Sequence, residues 1–194
     1  MFREVIAIIG DKNVGKSNIS LQFTSHMFVD EYEHVVCEGD IIKSIAVDGK
    51  EHKLELLEIL SDTEFIKYST LVPYTRTNIS GFIVVFSYDS RESFQSLESY
   101  CDSIIGEDGN CKKVPMVIVG NKCDLEEEER QVTTFEGKYF ADSLESLFFE
   151  SSAKLRINID EIFIALVREI KRIADESYEQ SIVVPTNKNK CILL

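Results

Sequence analysis

The stretch EVIAIIGDKNVGKS (residues 4–17) decides the fold of this chain. Its first half is an apolar run that ends at Gly10, which is typical of a buried β-strand, and apolar residues recur at helical spacing from Lys16. The second half, GDKNVGKS (10–17), matches the pattern G-x-x-x-x-G-K-[ST]. Because this pattern stands between a strand and a helix, it predicts a loop that binds phosphate groups.

The residue types in this loop suit phosphate chemistry. Gly10 and Gly15 permit turns that point several backbone N–H groups inward, where anionic oxygens also meet the positive end of the helix. Lys16 is placed to reach the β- and γ-phosphates of a nucleotide and to neutralise their charge, and Ser17 is placed to offer its hydroxyl to Mg²⁺. An ordinary strand–helix turn is the alternative, which Lys16 and Ser17 together disfavour.

Strand-like and helix-like segments alternate along the rest of the chain. Further strands are predicted at 41–47, 52–60, 81–87, 114–120 and 146–151, and helices from Lys16 to about Met27, at 91–105, at about 134–143 and at 158–174. In the first helix, Ile19, Phe23 and Met27 share one face. Asp48-Gly49 predicts a hairpin turn between two strands. Six strands and about five helices predict an α/β fold: a mostly parallel sheet with one antiparallel edge strand and helices on both faces.

Length and composition restrict the function. The 194 residues favour one domain, and a hydrophobic fraction of 44% can form a core. The net charge of −13 argues against nucleic-acid binding, which depends on Lys and Arg neutralising phosphates. We find neither an apolar run of about 18 residues that could span a membrane nor a signal-peptide pattern, so we expect a protein kept in the cytosol. In that compartment the five cysteines are expected to be free thiols, apart from Cys191.

A second motif, NKCD (121–124), predicts which base the nucleotide carries. The Asp124 carboxylate can accept hydrogen bonds from guanine N1–H and N2–H₂. Adenine has no hydrogen at N1, and the carboxylate would stay unpaired at a cost of about 1–3 kcal/mol. The Lys122 stem can lie over the base, and Asn121 can tie this segment to the phosphate loop.

A third motif, SSAK (151–154), follows the last predicted strand. It can present the Ala153 backbone N–H to guanine O6. Each short motif is weak alone, but the three in this order, each at the end of a strand, are specific for a guanine-nucleotide site. They disfavour a P-loop kinase or an ATPase.

With these motifs the chain resembles the Ras family of small GTPases over about residues 3–174. Other segments that match are FVDEY (28–32), VDG (47–49) and LVREI (166–170). The resemblance implies a P-loop NTPase G domain, a GTP/GDP site with Mg²⁺, and a two-state signalling switch. Its effector and regulator proteins cannot be identified from the sequence.

The resemblance also implies roles for the residues after the first helix. Phe28 matches the aromatic residue at the edge of the guanine, with a core phenylalanine as the alternative, and Val29 and Asp30 match positions near the ribose. The residues assigned to the nucleotide site are Gly10, Asp11, Lys12, Asn13, Val14, Gly15, Lys16, Ser17, Asn18, Phe28, Val29, Asp30, Asn121, Lys122, Asp124, Leu125, Ser152, Ala153 and Lys154.

The chain departs from the family in the first switch loop, YEHVVCEGD (32–40). Family members carry a Thr there, which binds Mg²⁺ and senses the γ-phosphate. Here Val35 or Val36 stands in its place, and neither can coordinate a metal. In the phosphate loop, Lys12 replaces a common Gly. It would crowd an arginine finger from a partner, place its own cation near the γ-phosphate, or lie in solvent.

The second switch, EILSDTEF (58–65), departs further. Alignment backward from the next strand puts Ser61 at the Asp place, Glu64 at the Gly place and Phe65 at the Gln place, with Asp62 one residue off. The Gly that reads the γ-phosphate and the Gln that orients the attacking water are therefore both missing. Two readings stay open: a slow or atypical GTPase switch, and a pseudo-GTPase that serves as a nucleotide-bound interaction module.

The C-terminal sequence CILL (191–194) fits the prenylation pattern C-a-a-X, with Cys191 as the lipidated residue and a final Leu that favours geranylgeranylation. We expect residues 1–174 to form the domain and 175–194 a flexible tail. Lys188 and Lys190 add little electrostatic attraction to a membrane surface, and firm anchoring usually takes two signals. The expected location is the cytoplasmic face of a membrane, and the plasma membrane is favoured. A single lipid with little added charge is also compatible with a cytosolic pool.

Overall fold

The computed structural model describes residues 2–29, 41–59, 79–106 and 113–182. Several of the residues predicted from the sequence lie outside this part of the chain, namely Asp30, Val35, Val36, Ser61, Asp62, Glu64, Phe65 and Cys191. The strands are β1 (Phe2–Ile9), β2 (Ile41–Val47), β3 (Lys50–Glu58), β4 (Gly81–Ser87), β5 (Met116–Asn121) and β6 (Leu147–Glu150). The α-helices in the described ranges are α1 (Lys16–Ser25), α2 (Arg91–Gln95), α3 (Leu97–Ile105), α4 (Thr134–Ser143) and α5 (Ile159–Ile182).

The strands form a six-stranded sheet in the order β2-β3-β1-β4-β5-β6. All neighbouring pairs are parallel except β2 with β3, which are antiparallel at one edge. Asp48 and Gly49 both have positive φ, 51° and 76°, as a tight hairpin between these two strands requires. The predicted α/β fold with one antiparallel edge strand is confirmed.

Hydrophobic side chains fill a core on each face of the sheet. On one face α1 and α5 cover the sheet, and Phe23 stacks on Phe163 with ring centroids 3.7 Å apart. Replacing such a buried Phe with Ala typically costs about 3–5 kcal/mol. The apolar stripe of α5 is buried or partly buried here, as its spacing predicts: Ile159, Ile162, Phe163, Leu166, Val167 and Ile170. The other face is covered by α3 and α4, which bury Leu97, Tyr100 and Ala141.

The helix boundaries differ from the prediction in three places. Helix α1 ends at Ser25 because His26 adopts the left-handed conformation (φ 56°) and caps the helix. The chain leaves the helix there, and Met27, predicted on the buried face, is 56% exposed. The helix predicted at 91–105 is interrupted at Ser96, and α5 continues past 174 to Ile182.

The extension of α5 has a physical cause that apolar periodicity does not detect. Arg172 pairs with Glu169 and with Glu176 along the exposed surface of the helix, which stabilises its last turns. The first part of the predicted tail is therefore helical up to Ile182. The division of the chain into a domain and a tail stays a prediction. Within the described ranges, no helix is both long and apolar enough to cross a bilayer.

Candidate functional site

The motifs predicted from the sequence meet at the carboxyl ends of the parallel strands. The phosphate loop follows β1, at the point between β1 and β4 where the strand order reverses, NKCD follows β5, and SSAK follows β6. A reversal of strand order opens a crevice outside the carboxyl ends of the two strands, and open α/β sheets bind their ligands in such crevices.

The two glycines of the phosphate loop stand where a side chain does not fit. A Cβ on Gly10 would lie 2.2 Å from the backbone oxygen of Val85 on β4. A Cβ on Gly15, which has φ +95°, would lie 2.2 Å from Nδ2 of Asn121. These close approaches bring the loop against β4 and against the NKCD segment.

Lys16 lies inside the loop rather than in solvent. It is 6% exposed, and its ammonium donates hydrogen bonds to the carbonyl oxygens of Gly10 and Asp11, both at 2.6 Å. A cation so deeply buried needs such partners. The positive charge is thereby held at the place where the sequence predicts the phosphate groups.

The Asp11 side chain forms hydrogen bonds with helix α3 and with Ser96, the residue that precedes this helix. Its two carboxylate oxygens accept hydrogen bonds from the Ser96 hydroxyl (2.9 Å) and the Tyr100 hydroxyl (2.6 Å). These contacts fix the start of the loop against the helix. Lys12 and Asn13 follow as exposed residues, and Asn13 has a positive φ of 63°.

Asn121 joins all three motifs. Its Nδ2 donates to the Val14 carbonyl oxygen of the phosphate loop at 2.8 Å. Its Oδ1 accepts from the Ser151 hydroxyl (3.1 Å) and from the Ala153 backbone N–H (3.2 Å) of the third segment. The predicted tie between NKCD and the phosphate loop is therefore present. The Ala153 donor predicted for guanine O6 makes its contact with Asn121 here.

Lys122 and Asp124 occupy the turn that follows β5. Lys122 has φ 63°, and its ammonium pairs with the Asp89 carboxylate at 2.8 Å. Asp124 is partly buried between Cys123 and Leu125. The carbonyl oxygens of those two neighbours both accept hydrogen bonds from the Arg130 guanidinium, at 2.5 and 3.1 Å.

Arg130 is a residue that sequence reasoning missed. Its guanidinium lies over the Tyr88 ring, 4.6 Å from the centroid, and 3.8 Å from the Glu150 carboxylate. Glu150 also accepts from the Tyr88 hydroxyl at 2.7 Å, and burial together with this contact raises the pKa of Tyr88. Arg130 thus braces the turn that presents Asp124, and its sequence signal is a lone Arg a few residues beyond NKCD.

The SSAK segment forms a buried turn. The Ser151 carbonyl oxygen accepts from the Cys123 backbone N–H at 2.9 Å, and the Ser152 hydroxyl accepts from the Leu155 N–H at 3.0 Å. Ala153 is 3% exposed, whereas Lys154 lies in solvent. Backbone contacts therefore hold SSAK directly against NKCD.

Residues after α1 are tied back to the helix. The Asn18 side chain donates to the Val29 carbonyl oxygen at 3.1 Å and accepts from the Val29 N–H at 3.0 Å. Phe28 is partly buried and packs against the core between α1, α5 and the sheet. This contact agrees with the core alternative for Phe28 and leaves its predicted role at the guanine edge a prediction.

A second residue that the motifs did not reveal is Glu58, the last residue of β3. The Ser17 hydroxyl donates to Glu58 Oε2 at 2.7 Å. The sequence could have indicated Glu58 because it is an acidic residue at the carboxyl end of a strand that lies beside β1. In the described ranges, no group of three His, Cys, Asp or Glu side chains could hold a metal ion.

With this geometry established, comparison with known proteins gives the family. A sequence model of the Ras family matches residues 5–172 of the chain. The chain belongs to the Ras family. The predicted resemblance is confirmed, and with it a GTP-binding signalling switch as the general class of protein.

Several curated relatives of this Ras-family chain align over nearly its whole length. It is 34% identical to "Ras-like protein rasC" of Dictyostelium discoideum over 189 residues, which is 97% of each chain. It is 33% identical to "Small monomeric GTPase RhbA" of Aspergillus fumigatus over 97% of this chain and 95% of that protein. It is 36% identical to "Ras-like protein rasS" of Dictyostelium discoideum over the full length of both.

Proposed function

We propose that this Ras-family protein binds GTP and GDP through the site at the carboxyl ends of β1, β5 and β6. One observation carries the proposal. Asn121 contacts Val14 of the phosphate loop and Ala153 of SSAK at once, so the elements for phosphate and for guanine form one continuous surface.

The base contact rests on Asp124. The turn that carries it is held by the two hydrogen bonds from Arg130 to the neighbouring carbonyl oxygens. A carboxylate fixed in this way matches the two donors of guanine and leaves adenine with an unpaired anion. The selectivity between GTP and ATP follows from that mismatch.

Mg²⁺ binds in this proposal with the nucleotide. The residues fit the ion, because the Ser17 hydroxyl is a hard oxygen ligand and Mg²⁺ usually takes one or two protein oxygens together with phosphates and water. The ion supplies charge neutralisation at the phosphates, and buried Lys16 supplies the protein's own cation there.

The experiment that tests guanine binding combines identification with competition. Mass spectrometry of the nucleotide that copurifies with the full chain should find GDP or GTP. Asp124→Asn should weaken GDP and GTP binding at least about tenfold, the equivalent of about 1.4 kcal/mol. Asp142→Asn on the exposed surface of α4 is the matched control and should leave binding unchanged. If ATP displaces GDP as well as GTP does, the assignment is wrong.

The protein acts at the cytoplasmic face of a membrane in this proposal. The support is the C-a-a-X sequence at Cys191, which calls for a prenyl group. The plasma membrane is the proposed site. A cytosolic pool accompanies it, because one lipid and two Lys bind a membrane weakly. Intact-mass analysis of the protein from eukaryotic cells, with Cys191→Ser as control, tests the anchor: an unmodified CILL end would contradict it.

A catalytically inactive pseudo-GTPase is the second candidate. It is favoured by the sequence of the switches, where Val35 or Val36, Glu64 and Phe65 stand in place of the Thr, Gly and Gln that hydrolysis uses. In that case the protein binds its effectors with nucleotide in place and does not turn it over. A single-turnover hydrolysis assay separates the two candidates.

A further inference from the structure

Tyr88, the residue that follows β4, is a fully buried side chain that contacts a charged pair. Its hydroxyl donates to Glu150 Oε1 at 2.7 Å. The Arg130 guanidinium lies over its ring, 4.6 Å from the centroid, where a cation is attracted to the aromatic face. One buried side chain therefore contacts both members of the pair, in which a nitrogen of Arg130 lies 3.8 Å from an oxygen of Glu150.

The backbone of Tyr88 is fixed as firmly as its side chain. Its N–H donates to the Asn121 carbonyl oxygen at 3.1 Å. Its own carbonyl oxygen accepts from the Gln131 N–H at 2.8 Å and from the Val132 N–H at 3.3 Å. These contacts join the end of β4 to both ends of segment 121–132, which contains NKCD. Tyr88 and the NKCD turn therefore belong to one hydrogen-bonded unit.

Glu150 is held in place by hydroxyl groups. Its Oε1 accepts from the Tyr88 hydroxyl and from the Thr134 hydroxyl, both at 2.7 Å. The distance of 3.8 Å from Arg130 to the same oxygen is too long for a hydrogen bond, so this contact is a Coulomb attraction. Burial, and next the hydrogen bond to Glu150, raise the pKa of Tyr88, so its hydroxyl stays a donor at neutral pH. The direction of Arg130 thus depends on where the hydroxyls hold the carboxylate.

Arg130 transmits this position to Asp124. Its guanidinium donates to the carbonyl oxygens of Cys123 and Leu125, the two neighbours of Asp124 in the chain. The predicted base contact is directional, because a carboxylate that accepts from guanine N1–H and N2–H₂ together must lie near the plane of the base. Misaligned hydrogen bonds weaken steeply, so a small rotation of the turn costs one of the two contacts.

We propose that Tyr88 is a positioning residue for base recognition: its ring and hydroxyl orient Arg130 and Glu150, and Arg130 in turn directs the Asp124 carboxylate toward the amino group of guanine. The inference rests on the proposed guanine-nucleotide site and assigns to it a side chain that belongs to none of the three motifs. Discrimination at guanine N2, rather than nucleotide affinity as such, is the quantity that Tyr88 controls.

The test compares GDP with inosine diphosphate (IDP), whose base has N1–H but lacks the amino group at N2. Both nucleotides compete against a fluorescent GDP derivative on the full chain. Wild type should prefer GDP by about 10- to 100-fold, because IDP forfeits one hydrogen bond to a charged acceptor. Tyr88→Phe keeps the ring and removes the hydroxyl. It should lower the preference by at least about threefold, because GDP binding weakens while IDP binding changes little.

Two other tyrosines provide matched controls. Tyr100 is also buried, but its hydroxyl donates to Asp11 in the phosphate loop. Tyr100→Phe should change GDP and IDP binding by the same factor, because both nucleotides carry the same phosphates. Tyr139 is 68% exposed on α4, and Tyr139→Phe should leave both affinities at the wild-type value. A merely structural role of Tyr88 would likewise weaken both nucleotides equally, so the preference for GDP separates the two roles.

A double-mutant cycle tests whether Tyr88 acts through Arg130. Arg130→Lys keeps the charge but loses the planar fork that donates to two carbonyl oxygens at once, so it should also lower the preference for GDP. If the two residues act in series, Tyr88→Phe should change the preference by less than about twofold in the Arg130→Lys background. Independent residues would instead multiply their effects.

Two results would overturn the inference while leaving the proposed function intact: a preference that falls less than threefold in Tyr88→Phe, or effects of Tyr88→Phe and Arg130→Lys that multiply. If Tyr88→Phe does not fold, Glu150→Gln gives the answer. It keeps an oxygen that accepts from Tyr88 and removes the charge that attracts Arg130, so the same threefold loss is expected. A wild-type protein that binds neither nucleotide, or binds IDP as tightly as GDP, overturns the proposed base contact and the inference together.

Discussion

Asp89 fixes the side chain that is expected to cover the guanine. Its Oδ2 accepts from the Lys122 ammonium at 2.8 Å, and its Oδ1 accepts from the Ser87 hydroxyl at 2.5 Å. Burial alone would raise the pKa of Asp89, but the hydrogen bonds from Lys122 and Ser87 hold it below its usual value. Asp89 is therefore an anion at neutral pH and a constant partner for Lys122.

We predict that Asp89→Asn weakens GDP binding by about twofold to fivefold. The effect is modest because both side chains are about one-third exposed, and pairs of this kind contribute about 0–1 kcal/mol. Equilibrium titration with fluorescent GDP measures it, and Glu92→Gln, an exposed carboxylate on α2, serves as control. An unchanged affinity would show that the backbone of the turn alone positions Lys122.

At the scale of single residues, the sequence predicts contacts that belong to a motif and misses those that depend on register. The tie from Asn121 to the phosphate loop is present as predicted, since the motif defines both partners. Glu58 belongs to none of the three motifs. Its contact with Ser17 becomes visible only once β3 is paired with β1.

Among the elements, helix α4 begins with an acidic residue, Glu136, that accepts several hydrogen bonds. Glu136 accepts from both Arg91 guanidinium nitrogens, at 2.7 and 3.2 Å. It also accepts from the N–H and the hydroxyl of Thr133, both at 2.9 Å, in a capping box. The hydrogen bond from Arg91, followed by those from Thr133, lowers the pKa of Glu136 to about 2.

This lowered pKa predicts part of the acid sensitivity of the fold. Because the folded pKa is about 2 and the ordinary value is 4.5, the stabilisation is complete above pH 4.5 and is lost as the pH falls toward 2. Glu136→Gln should therefore flatten the decline of unfolding free energy in that window. Urea midpoints measured between pH 2 and pH 6 check it, with exposed Glu128→Gln as control. Parallel curves for wild type and Glu136→Gln would contradict the assignment.

The ends of helices α1 and α5 could not be predicted from the sequence. The end of α1 depends on the backbone of His26, a residue type with no strong signal for the left-handed conformation. The last turns of α5 depend on the ion pairs of Arg172, which hydrophobic spacing does not register. The strands, by contrast, were predictable because apolar runs bounded by turn residues specify them well.

For the whole molecule, the order of the strands decides which residues lie next to the phosphate loop. The sheet places β1 between β3 and β4, so the phosphate loop meets Glu58 on one side and NKCD, after β5, on the other. Alternation of strands and helices predicts a parallel sheet, and the three motifs predict the guanine-nucleotide site, but the resemblance to the Ras family was needed to assign Phe28, Val29 and Asp30. We predict that binding and catalysis can be separated, because the sequence has all three binding motifs and departs from the family in both switches.

Phosphoryl transfer needs a positioned water, a metal ion and charge neutralisation, and the sequence predicts that this chain retains only part of that set. Lys16 is buried in the loop, and Ser17 is held by Glu58, so binding and some neutralisation are expected to remain. The sequence predicts that Phe65 stands in place of the water-orienting Gln, and Glu64 in place of the Gly that meets the γ-phosphate. A carboxylate at that position would repel the phosphate rather than donate a hydrogen bond to it.

We expect the same departures from the family sequence to weaken the switch itself. A ligand shifts an equilibrium between two conformations only by its difference in affinity for them. In a chain that lacks the Thr and Gly that sense the γ-phosphate, GTP and GDP are expected to make nearly the same contacts. We therefore expect the GTP-bound and GDP-bound proteins to differ little in their affinity for any partner.

We predict that hydrolysis is slow and that Ras-type activating proteins do not restore it. Intrinsic turnover of Ras, with its switches intact, is about 3–5 × 10⁻⁴ s⁻¹, and this chain should fall at or below that order. An activating protein supplies an arginine finger, which Lys12 would crowd and which needs a positioned water to act on. A single-turnover assay with the GTP-loaded chain, with and without such a protein, measures both effects, and Lys12→Gly tests the steric part. Intrinsic hydrolysis well above that order would mean that Lys12 or Asp62 replaces the missing catalytic groups, and stimulation of about a thousandfold would mean that an arginine finger still reaches the site and contradict the prediction.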